Sequence, residues 1–209
     1  MAKSKILVVV DMQNDFITGP LGNEDTKGII KNVIDKIDSF YGENKNNAHI
    51  IFTKDTHHDN YLDTLEGKNL PVPHCIDDTR GHDIIDELRE YSRKITIIKK
   101  ETFGSIDVLP EAIRECGEIE SIELCGVCTD ICVISNALIL RAAFPNIPIE
   151  IDKCCCAGTT KEKHEAAIEV MKSCQINITE KIKIYREEYL EKMEAKTREV
   201  RDRLVHPMV

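Results

Sequence analysis

Short apolar runs alternate with longer amphipathic segments along most of this chain, and this alternation is the feature that most constrains its fold. Six runs rich in Ile and Val are bounded by charged residues or by Gly and Pro, as β-strands are. They lie at residues 6–10, 49–52, 95–98, 122–126, 147–151 and 176–178. Between them, apolar residues recur at helical spacing near 26–41, 82–92, 108–116, 130–143 and 161–174.

A repeated alternation of strand and helix builds a mainly parallel sheet, because the connecting helices cover both of its faces. We therefore predict a three-layer α/β/α fold with a mostly parallel six-stranded sheet. A length of 209 residues suits one domain of this kind with an additional tail.

The last thirty residues differ from the rest of the chain. They are rich in charge, and the apolar positions Leu190, Met193, Val200 and Leu204 follow a 3-4 heptad spacing. We predict a domain over 1–179 and a charged C-terminal helical extension over 180–209. This helix could pack on its own domain or on a second subunit, and we expect a homo-oligomer.

The charge balance excludes several kinds of partner. Lys and Arg number 28 against 37 Asp and Glu, so the net charge is −9 and binding to phosphate backbones or anionic lipid is disfavoured. The first apolar run is broken by Asp11, which leaves it too short for a secretion signal or a membrane span. We expect a cytoplasmic protein that acts on a small molecule, with no nucleic-acid or membrane partner.

Nine cysteines are many for a chain of this length. Without an export signal they are expected to be reduced thiols, with catalytic, metal-binding or packing roles. The spacing of Cys128 and Cys132 is not that of a zinc ribbon or of a thioredoxin-like motif. The consecutive Cys154, Cys155 and Cys156 are expected to be packing residues that follow the fifth strand.

Three chemically active side chains follow predicted strands. Asp11 ends the first run, Lys100 follows the third, and Cys132 lies in the first turn of the helix after the fourth. Ligands bind at the carboxyl ends of parallel strands. There, an acid and a cation could activate a cysteine nucleophile, and a helix N-terminus could bind an oxyanion. Alternatively, Asp11 caps a turn, Lys100 is solvated and Cys132 is a small buried residue.

A second group of residues lies in the long polar loop after the second strand. Asp55, His57 and His74, with Glu66 between them, offer carboxylate and imidazole ligands suited to a divalent transition metal. Loop polarity or hydrogen-bonded histidines would explain the same residues. His82 is expected on a helix surface.

Five motifs in order resemble those of the isochorismatase-like cysteine hydrolases. They are VDMQNDF (10–16), KDTH (54–57), PHC (73–75), KETFGS (100–105) and GVCTDICV (126–133). Within that family the chain is most similar to the nicotinamidases, and the resemblance runs through about residues 5–178. Several motifs in the same order are far more specific than any one of them.

The resemblance implies an Asp-Lys-Cys triad of Asp11, Lys100 and Cys132, with Cys132 as the nucleophile. It also implies a cis peptide bond between Val127 and Cys128. The backbone N–H groups of Cys128 and Cys132 would then form the oxyanion hole.

The resemblance also implies one divalent metal ion, with zinc as the first choice and iron or manganese as alternatives. Its ligands would be Asp55, His57 and His74, with Glu66 as a further ligand. The substrate pocket is expected to include the following five residues: Phe16, Gln13, Tyr61, Phe103 and Val127.

The implied activity is hydrolysis of nicotinamide to nicotinate and ammonia through a cysteine thioester, a step of NAD salvage. Two departures bear on the substrate. Pro71 stands where nicotinamidases commonly have a large aromatic residue, and Tyr61 replaces a further histidine that some members have. Hydrolysis of another small amide, carbamoyl or ureide compound is the alternative. A noncatalytic thiol-rich binding or redox-sensing module ranks lower.

Overall fold

The central sheet confirms the predicted architecture. The structure, a computed structural model, describes residues 3–44, 47–93 and 95–182. All strand pairings among these residues are parallel, in the order β3-β2-β1-β4-β5-β6. The strands are β1 (Ser4–Val10), β2 (Ala48–Asp55), β3 (Thr96–Lys100), β4 (Ile119–Val127), β5 (Ile149–Ala157) and β6 (Asn177–Thr179).

Helices cover the sheet and complete a three-layer α/β/α fold. They are α1 (Asn14–Ile17), α2 (Glu24–Gly28), α3 (Ile30–Asn44), α4 (Leu65–Asn69), α5 (Arg89–Ser92), α6 (Val108–Glu115), α7 (Ile134–Ala143) and α8 (Lys161–Ser173). Shorter helical turns occur at Tyr61–Asp63, Asp86–Leu88 and Thr129–Val133.

The central strand β1 explains both the core and the position of the site. Residues 6–10 are completely buried, because β1 is paired on both sides and covered on both faces. The chain builds outward from β1 through β2 to β3 and then returns to add β4 on the other side of β1. This reversal makes a crevice at the carboxyl ends of β1 and β4, where doubly wound sheets bind ligands.

The helix predicted near 82–92 is shorter than expected. Only residues 86–92 are helical, as a 3₁₀ turn at Asp86–Leu88 followed by α5, and 82–85 are not. The first residues of the segment bond to the loop after β1, since the Asn14 N–H donates to Asp83 O at 3.0 Å and the Ile85 N–H donates to Met12 O at 3.1 Å. A continuous helix would use the Asp83 carbonyl oxygen internally, and here the loop occupies it.

The cysteine run lies inside β5 and not after it. The strand was expected to end at residue 151 but continues to Ala157. Its register against β4 shifts between Leu124 and Gly126 and then resumes at Cys156. Cys155 and Cys156 are therefore buried strand residues.

The predicted C-terminal helix falls largely outside the described residues, which end at Ile182. Ile182 is itself buried, and its N–H donates to Asp152 Oδ2 at 3.1 Å. The division at residue 180 and the homo-oligomer both stay predictions. No helix in the described ranges has the length and apolar character that crossing a membrane requires.

A buried ion cluster joins α3 to the sheet. Lys36 Nζ lies 2.9 Å from Asp152 Oδ2 and 3.1 Å from Glu123 Oε2. Burial lowers the pKa of Lys36, but the two carboxylates outweigh this effect and raise it. Lys181 Nζ is 2.9 Å from the other oxygen of Glu123 and so connects the cluster to the chain after β6.

We expect Lys36→Met to destabilise the protein by about 3–5 kcal/mol, because it leaves the buried Asp152 carboxylate without its cation and Glu123 with Lys181 alone. Urea denaturation measures the change. Lys31→Met is the control, since Lys31 is exposed and pairs with Asp35 on the same helix. The control should change stability by less than about 0.5 kcal/mol. Equal effects of the two substitutions would show that the cluster is not stabilising.

Candidate active site and metal centre

A cavity of about 780 Å³ opens at the carboxyl ends of the central strands. Cys128 and Cys132 line it from the turn after β4, and Asp55, Glu66 and His74 line it from the other side. Its remaining walls are mainly apolar, with Phe16, Leu21, Leu65, Leu70, Phe103 and Ile131. A concave, mostly apolar pocket with a few convergent polar groups is typical of a small-molecule site.

The three predicted catalytic residues meet at one wall of this cavity, where Cys132 lines it and Asp11 and Lys100 lie buried behind Cys132. Lys100 Nζ lies 2.6 Å from Asp11 Oδ2 and 3.6 Å from Cys132 Sγ. All three side chains are buried. Lys100 Nζ also donates to Asp55 Oδ1 at 3.0 Å, so it links this group to the candidate metal ligands.

Asp11 is held by the turn that follows β1 and by Thr53 on β2. Its backbone is left-handed, with φ of 47°, and its carbonyl accepts from the Gln13 N–H at 2.7 Å. Thr53 Oγ1 donates to Asp11 Oδ1 at 2.6 Å. Asp11 Oδ2 accepts no well-aligned hydrogen bond from the described residues and has only its ion pair with Lys100. That oxygen is therefore available to receive a proton.

Burial dominates the electrostatics of the nucleophile. It raises the pKa of Cys132 well above its ordinary value, and Lys100 only partly opposes this. Burial also raises the pKa of Asp11, which Asp55 reinforces and Lys100 opposes. The pKa of Lys100 is itself raised, since Asp11, Cys132 and Asp55 outweigh its burial. The resting site therefore holds a neutral thiol beside a cation, and a base must remove the thiol proton.

The turn that carries Cys132 is a π-helical turn, Thr129–Val133, which leads into α7. The peptide bond between Val127 and Cys128 is cis, as the resemblance implied. Gly126 precedes it with φ of 116°, and a Cβ there would lie 2.1 Å from the Val10 carbonyl oxygen. Glycine is therefore required where β4 passes β1 next to the site.

Asp55, His57, Glu66 and His74 form a second cluster, with ligand atoms that all lie within 4.8 Å of one another. Asp55 Oδ2 is 3.0 Å from His57 Nε2 and 3.6 Å from His74 Nε2. Glu66 Oε1 is 3.5 Å from His57 Nε2. The structure thus brings together the four residues that the sequence singles out.

This cluster fits a divalent cation. His74 Nδ1 donates to the Val72 carbonyl oxygen at 2.8 Å, which directs the lone pair of Nε2 towards the other ligands. The buried His57 Nε2 has no hydrogen-bond partner among the described residues. Although burial lowers it, the nearby carboxylates of Asp55 and Glu66 raise the pKa of His57 to about 9. The cluster therefore attracts positive charge and brings carboxylate oxygens and imidazole nitrogens together in one place.

Gln13 supports the site from behind and does not line the cavity. It is fully buried, and its amide exchanges two hydrogen bonds with the backbone of Asp55, at 2.7 and 2.8 Å. It also donates to the His82 carbonyl oxygen at 2.9 Å. The expectation that Gln13 lines the substrate pocket is therefore wrong. Gln13 instead fixes the end of β2 that carries Asp55.

Tyr61 and Val127 are also absent from the cavity lining, whereas Phe16 and Phe103 belong to it. The Tyr61 ring packs 4.7 Å from the His57 ring and 5.1 Å from the His74 ring, between centroids. Its hydroxyl donates to the Leu70 carbonyl oxygen at 2.9 Å. Tyr61 therefore braces the two histidines. Val127 is completely buried in the core.

His82 is not a helix-surface residue. It is buried, with Nε2 2.9 Å from Thr56 Oγ1 and Nδ1 3.2 Å from Asp77 Oδ1.

The sequence did not reveal the role of Thr53, because its contact with Asp11 depends on the register of β1 against β2. Leu65, by contrast, could have been found from the sequence, because it is a large apolar residue within a polar loop. Its side chain is 77% exposed and lines the cavity.

The Isochorismatase domain model matches residues 5–182. The chain belongs to this family. No curated protein matches the chain. Membership of a hydrolase family whose fold neighbours include amidases confirms the prediction of an amidohydrolase.

Solved structures with this fold include three amidases. Bacillus subtilis nicotinamidase is 24% identical, with a TM-score of 0.70, over 84% of this chain and 99% of that one. Pyrococcus horikoshii pyrazinamidase, solved in complex with zinc, is 27% identical, with a TM-score of 0.68, over 84% and 98%. Thermoplasma acidophilum N-carbamoylsarcosine amidase is 21% identical, with a TM-score of 0.68, over 84% and 95%.

We expect Thr53→Val to lower kcat/KM for amide hydrolysis roughly 10–100-fold, the effect of losing one hydrogen bond to a charged group. The substitution keeps the shape of the side chain but frees Asp11 to rotate. Thr179→Val on β6 makes the same change away from the site and should leave the rate unchanged. Wild-type activity in folded Thr53→Val would show that Thr53 does not orient Asp11.

We expect the wild-type protein to bind one divalent ion per chain. The affinity of His74→Ala for the ion should be lower by more than about 100-fold, because even residues that only support the ligands contribute about 10–100-fold to metal affinity. Calorimetric titration of chelator-stripped protein with zinc measures this. His49→Ala removes a half-buried histidine near the start of β2, away from the cluster, and should retain wild-type affinity. Unchanged affinity in His74→Ala would exclude the proposed ligand set.

Proposed function

We propose that this protein hydrolyses a small carboxamide to an acid and ammonia through a thioester on Cys132, with nicotinamide as the leading substrate. One observation carries this proposal. Lys100 Nζ contacts both Asp11 and Cys132, and Cys132 lines a cavity that also presents Asp55, Glu66 and His74.

In the first step, Cys132 Sγ attacks the amide carbon while Asp11 Oδ2 takes the thiol proton. This assignment follows from the neutral thiol and from Asp11 Oδ2, whose one partner among the described residues is the Lys100 ammonium group. Lys100 stays charged and holds Asp11 beside the nucleophile. We assign the oxyanion to the backbone N–H groups of Cys128 and Cys132, because preorganised donors stabilise the charge that develops there.

In the second step, Asp11 returns its proton to the leaving nitrogen, the C–N bond breaks and ammonia departs. A thioester to Cys132 remains. Asp11 then accepts a proton from water as the water attacks the thioester, and the acid leaves as the proton passes back to Cys132 Sγ. Asp11 thus serves as base, acid and base again within one turnover.

The metal would be held by Asp55, His57, Glu66 and His74, and zinc is the first choice, with iron or manganese as alternatives. When bound, it supplies an electron-pair acceptor that can hold a ring nitrogen or a water molecule and so orient the substrate. The zinc complex of the Pyrococcus horikoshii pyrazinamidase supports this choice.

The second candidate substrate is another small amide, carbamoyl or ureide compound. The residues of the cavity wall support this alternative. Pro71, where nicotinamidases commonly have an aromatic residue, is exposed and lies outside the lining. The neighbouring wall residue is the aliphatic Leu70. The fold shared with N-carbamoylsarcosine amidase points the same way. A role in NAD salvage applies only if nicotinamide is the substrate.

The test is ammonia release from nicotinamide, pyrazinamide and N-carbamoylsarcosine by the metal-loaded protein. We expect release from at least one of them and a loss of at least about 10³-fold in Cys132→Ala, which lacks the nucleophile. Cys174→Ser alters a cysteine outside the cavity and should keep full activity. Added hydroxylamine should divert the product to a hydroxamate, since it intercepts the thioester.

The outcomes separate the candidate functions. Turnover of nicotinamide or pyrazinamide alone supports the leading substrate, and turnover of N-carbamoylsarcosine alone supports the second candidate. Turnover that survives in Cys132→Ala would overturn the thioester mechanism. No turnover of any amide would favour the noncatalytic thiol-rich module.

A further inference from the structure

Asn136 on α7 is a fully buried polar residue that the mechanism does not use. Its Nδ2 donates to the carbonyl oxygen of Cys132 at 2.8 Å and to that of Phe103 at 3.2 Å. Its Oδ1 accepts from the Ser105 N–H at 3.0 Å. One side-chain amide therefore satisfies three main-chain groups that belong to two different segments.

Both segments shape the cavity. The first is the π-helical turn that carries the candidate nucleophile. The second is the loop of residues 101–107, which begins directly after Lys100 and carries Phe103. Phe103 is 45% exposed and lines the cavity. Asn136 itself is not among the lining residues, so any effect it has on substrate must pass through these two segments.

The 101–107 loop lies closely against α7. A Cβ at Gly104 would stand 2.5 Å from Ile139 Cδ1 and 3.2 Å from Ser135 Cβ, so the loop backbone rests on the helix surface. Ser105 Oγ accepts from the Leu109 N–H at 3.1 Å and so joins the loop to the start of α6. The bonds of Asn136 lie on either side of this contact, at Phe103 and Ser105.

We propose that Asn136 is a positioning residue that sets the distance between the Cys132 nucleophile and the Phe103 wall of the cavity. The inference rests on the proposed function and deepens it, because it assigns the Phe103 wall to the substrate's acyl group. Without the Asn136 amide, the Phe103 and Ser105 backbone groups lose their buried partner and the loop must move to satisfy them. The wall contacts the substrate in the ground state and the transition state alike, so the loss falls mainly on KM.

The test compares Asn136→Ala with Asn44→Ala. Asn44 is a matched control, since its Nδ2 donates to the Phe40 carbonyl oxygen at 2.8 Å, the same four-residue spacing as Asn136 to Cys132, but on α3. We expect KM to rise about tenfold in Asn136→Ala, with kcat within about threefold of wild type. The control should change neither. Unchanged KM in folded Asn136→Ala overturns the proposal.

A double-mutant cycle distinguishes positioning from general stability. If Asn136 acts through Phe103, Asn136→Ala should raise KM much less in a Phe103→Ala background than in the wild type. The same fold-change in both backgrounds would overturn the proposal, because it would show that Asn136 affects the substrate by another route.

Gly104→Ala tests the same inference should Asn136→Ala fail to fold. It keeps the Asn136 side chain but places a Cβ 3.2 Å from Ser135 Cβ and against Ile139 Cδ1, so the loop shifts on α7 and the Asn136 bonds to Phe103 and Ser105 are stretched. We expect a similar rise in KM, and a wild-type KM in this variant would then overturn the proposal.

Hydrogen exchange separates failure of this inference from failure of the proposed function. If the wild type hydrolyses no amide, the proposed function fails and exchange decides the positioning role. Asn136→Ala, or Gly104→Ala if the former does not fold, should then speed backbone exchange in both 101–107 and 129–133. Asn44→Ala should change neither segment. Faster exchange in only one segment, or in none, overturns the proposal.

Discussion

The buried ammonium group of Lys100 is the contact on which the arrangement of the site depends. It lies 2.6 Å from Asp11 Oδ2, 3.0 Å from Asp55 Oδ1 and 3.6 Å from Cys132 Sγ. A buried cation is tolerated only where opposite charges and hydrogen-bond acceptors surround it. These three partners follow or end different strands, so a single cation holds the carboxyl ends of the sheet in one geometry and joins the candidate triad to the metal cluster.

The same cation connects the candidate triad to the candidate metal cluster. Asp55 shares its two oxygens between the halves of the site: Oδ1 accepts from Lys100 and Oδ2 faces His57 and His74. One carboxylate therefore links the position of Cys132 to the four residues that could hold a divalent cation.

Much of the fold and of the candidate site could be predicted from the sequence. The strands follow from buried apolar runs such as residues 6–10, since a strand covered on both faces must be apolar throughout. Asp11, Lys100 and Cys132 could be placed at one edge because parallel strands align their carboxyl ends. The helix predicted near 82–92 begins only at Asp86, because the spacing of apolar residues does not show that a distant loop bonds to the Asp83 carbonyl oxygen, here through the Asn14 N–H.

What the sequence determined by itself is therefore the set of elements and the chemical types at their ends: strands from apolar runs, a candidate triad of an acid, a lysine and a cysteine, and a candidate set of carboxylate and imidazole ligands. Only the tertiary structure decided which buried polar groups meet. Gln13 serves the backbone of Asp55, Thr53 serves Asp11, and Asn136 joins the nucleophile turn to the Phe103 loop. The physical reason is that hydrogen bonds need contact within about 3 Å, and contacts between residues far apart in the chain depend on strand register and packing, which no local pattern encodes.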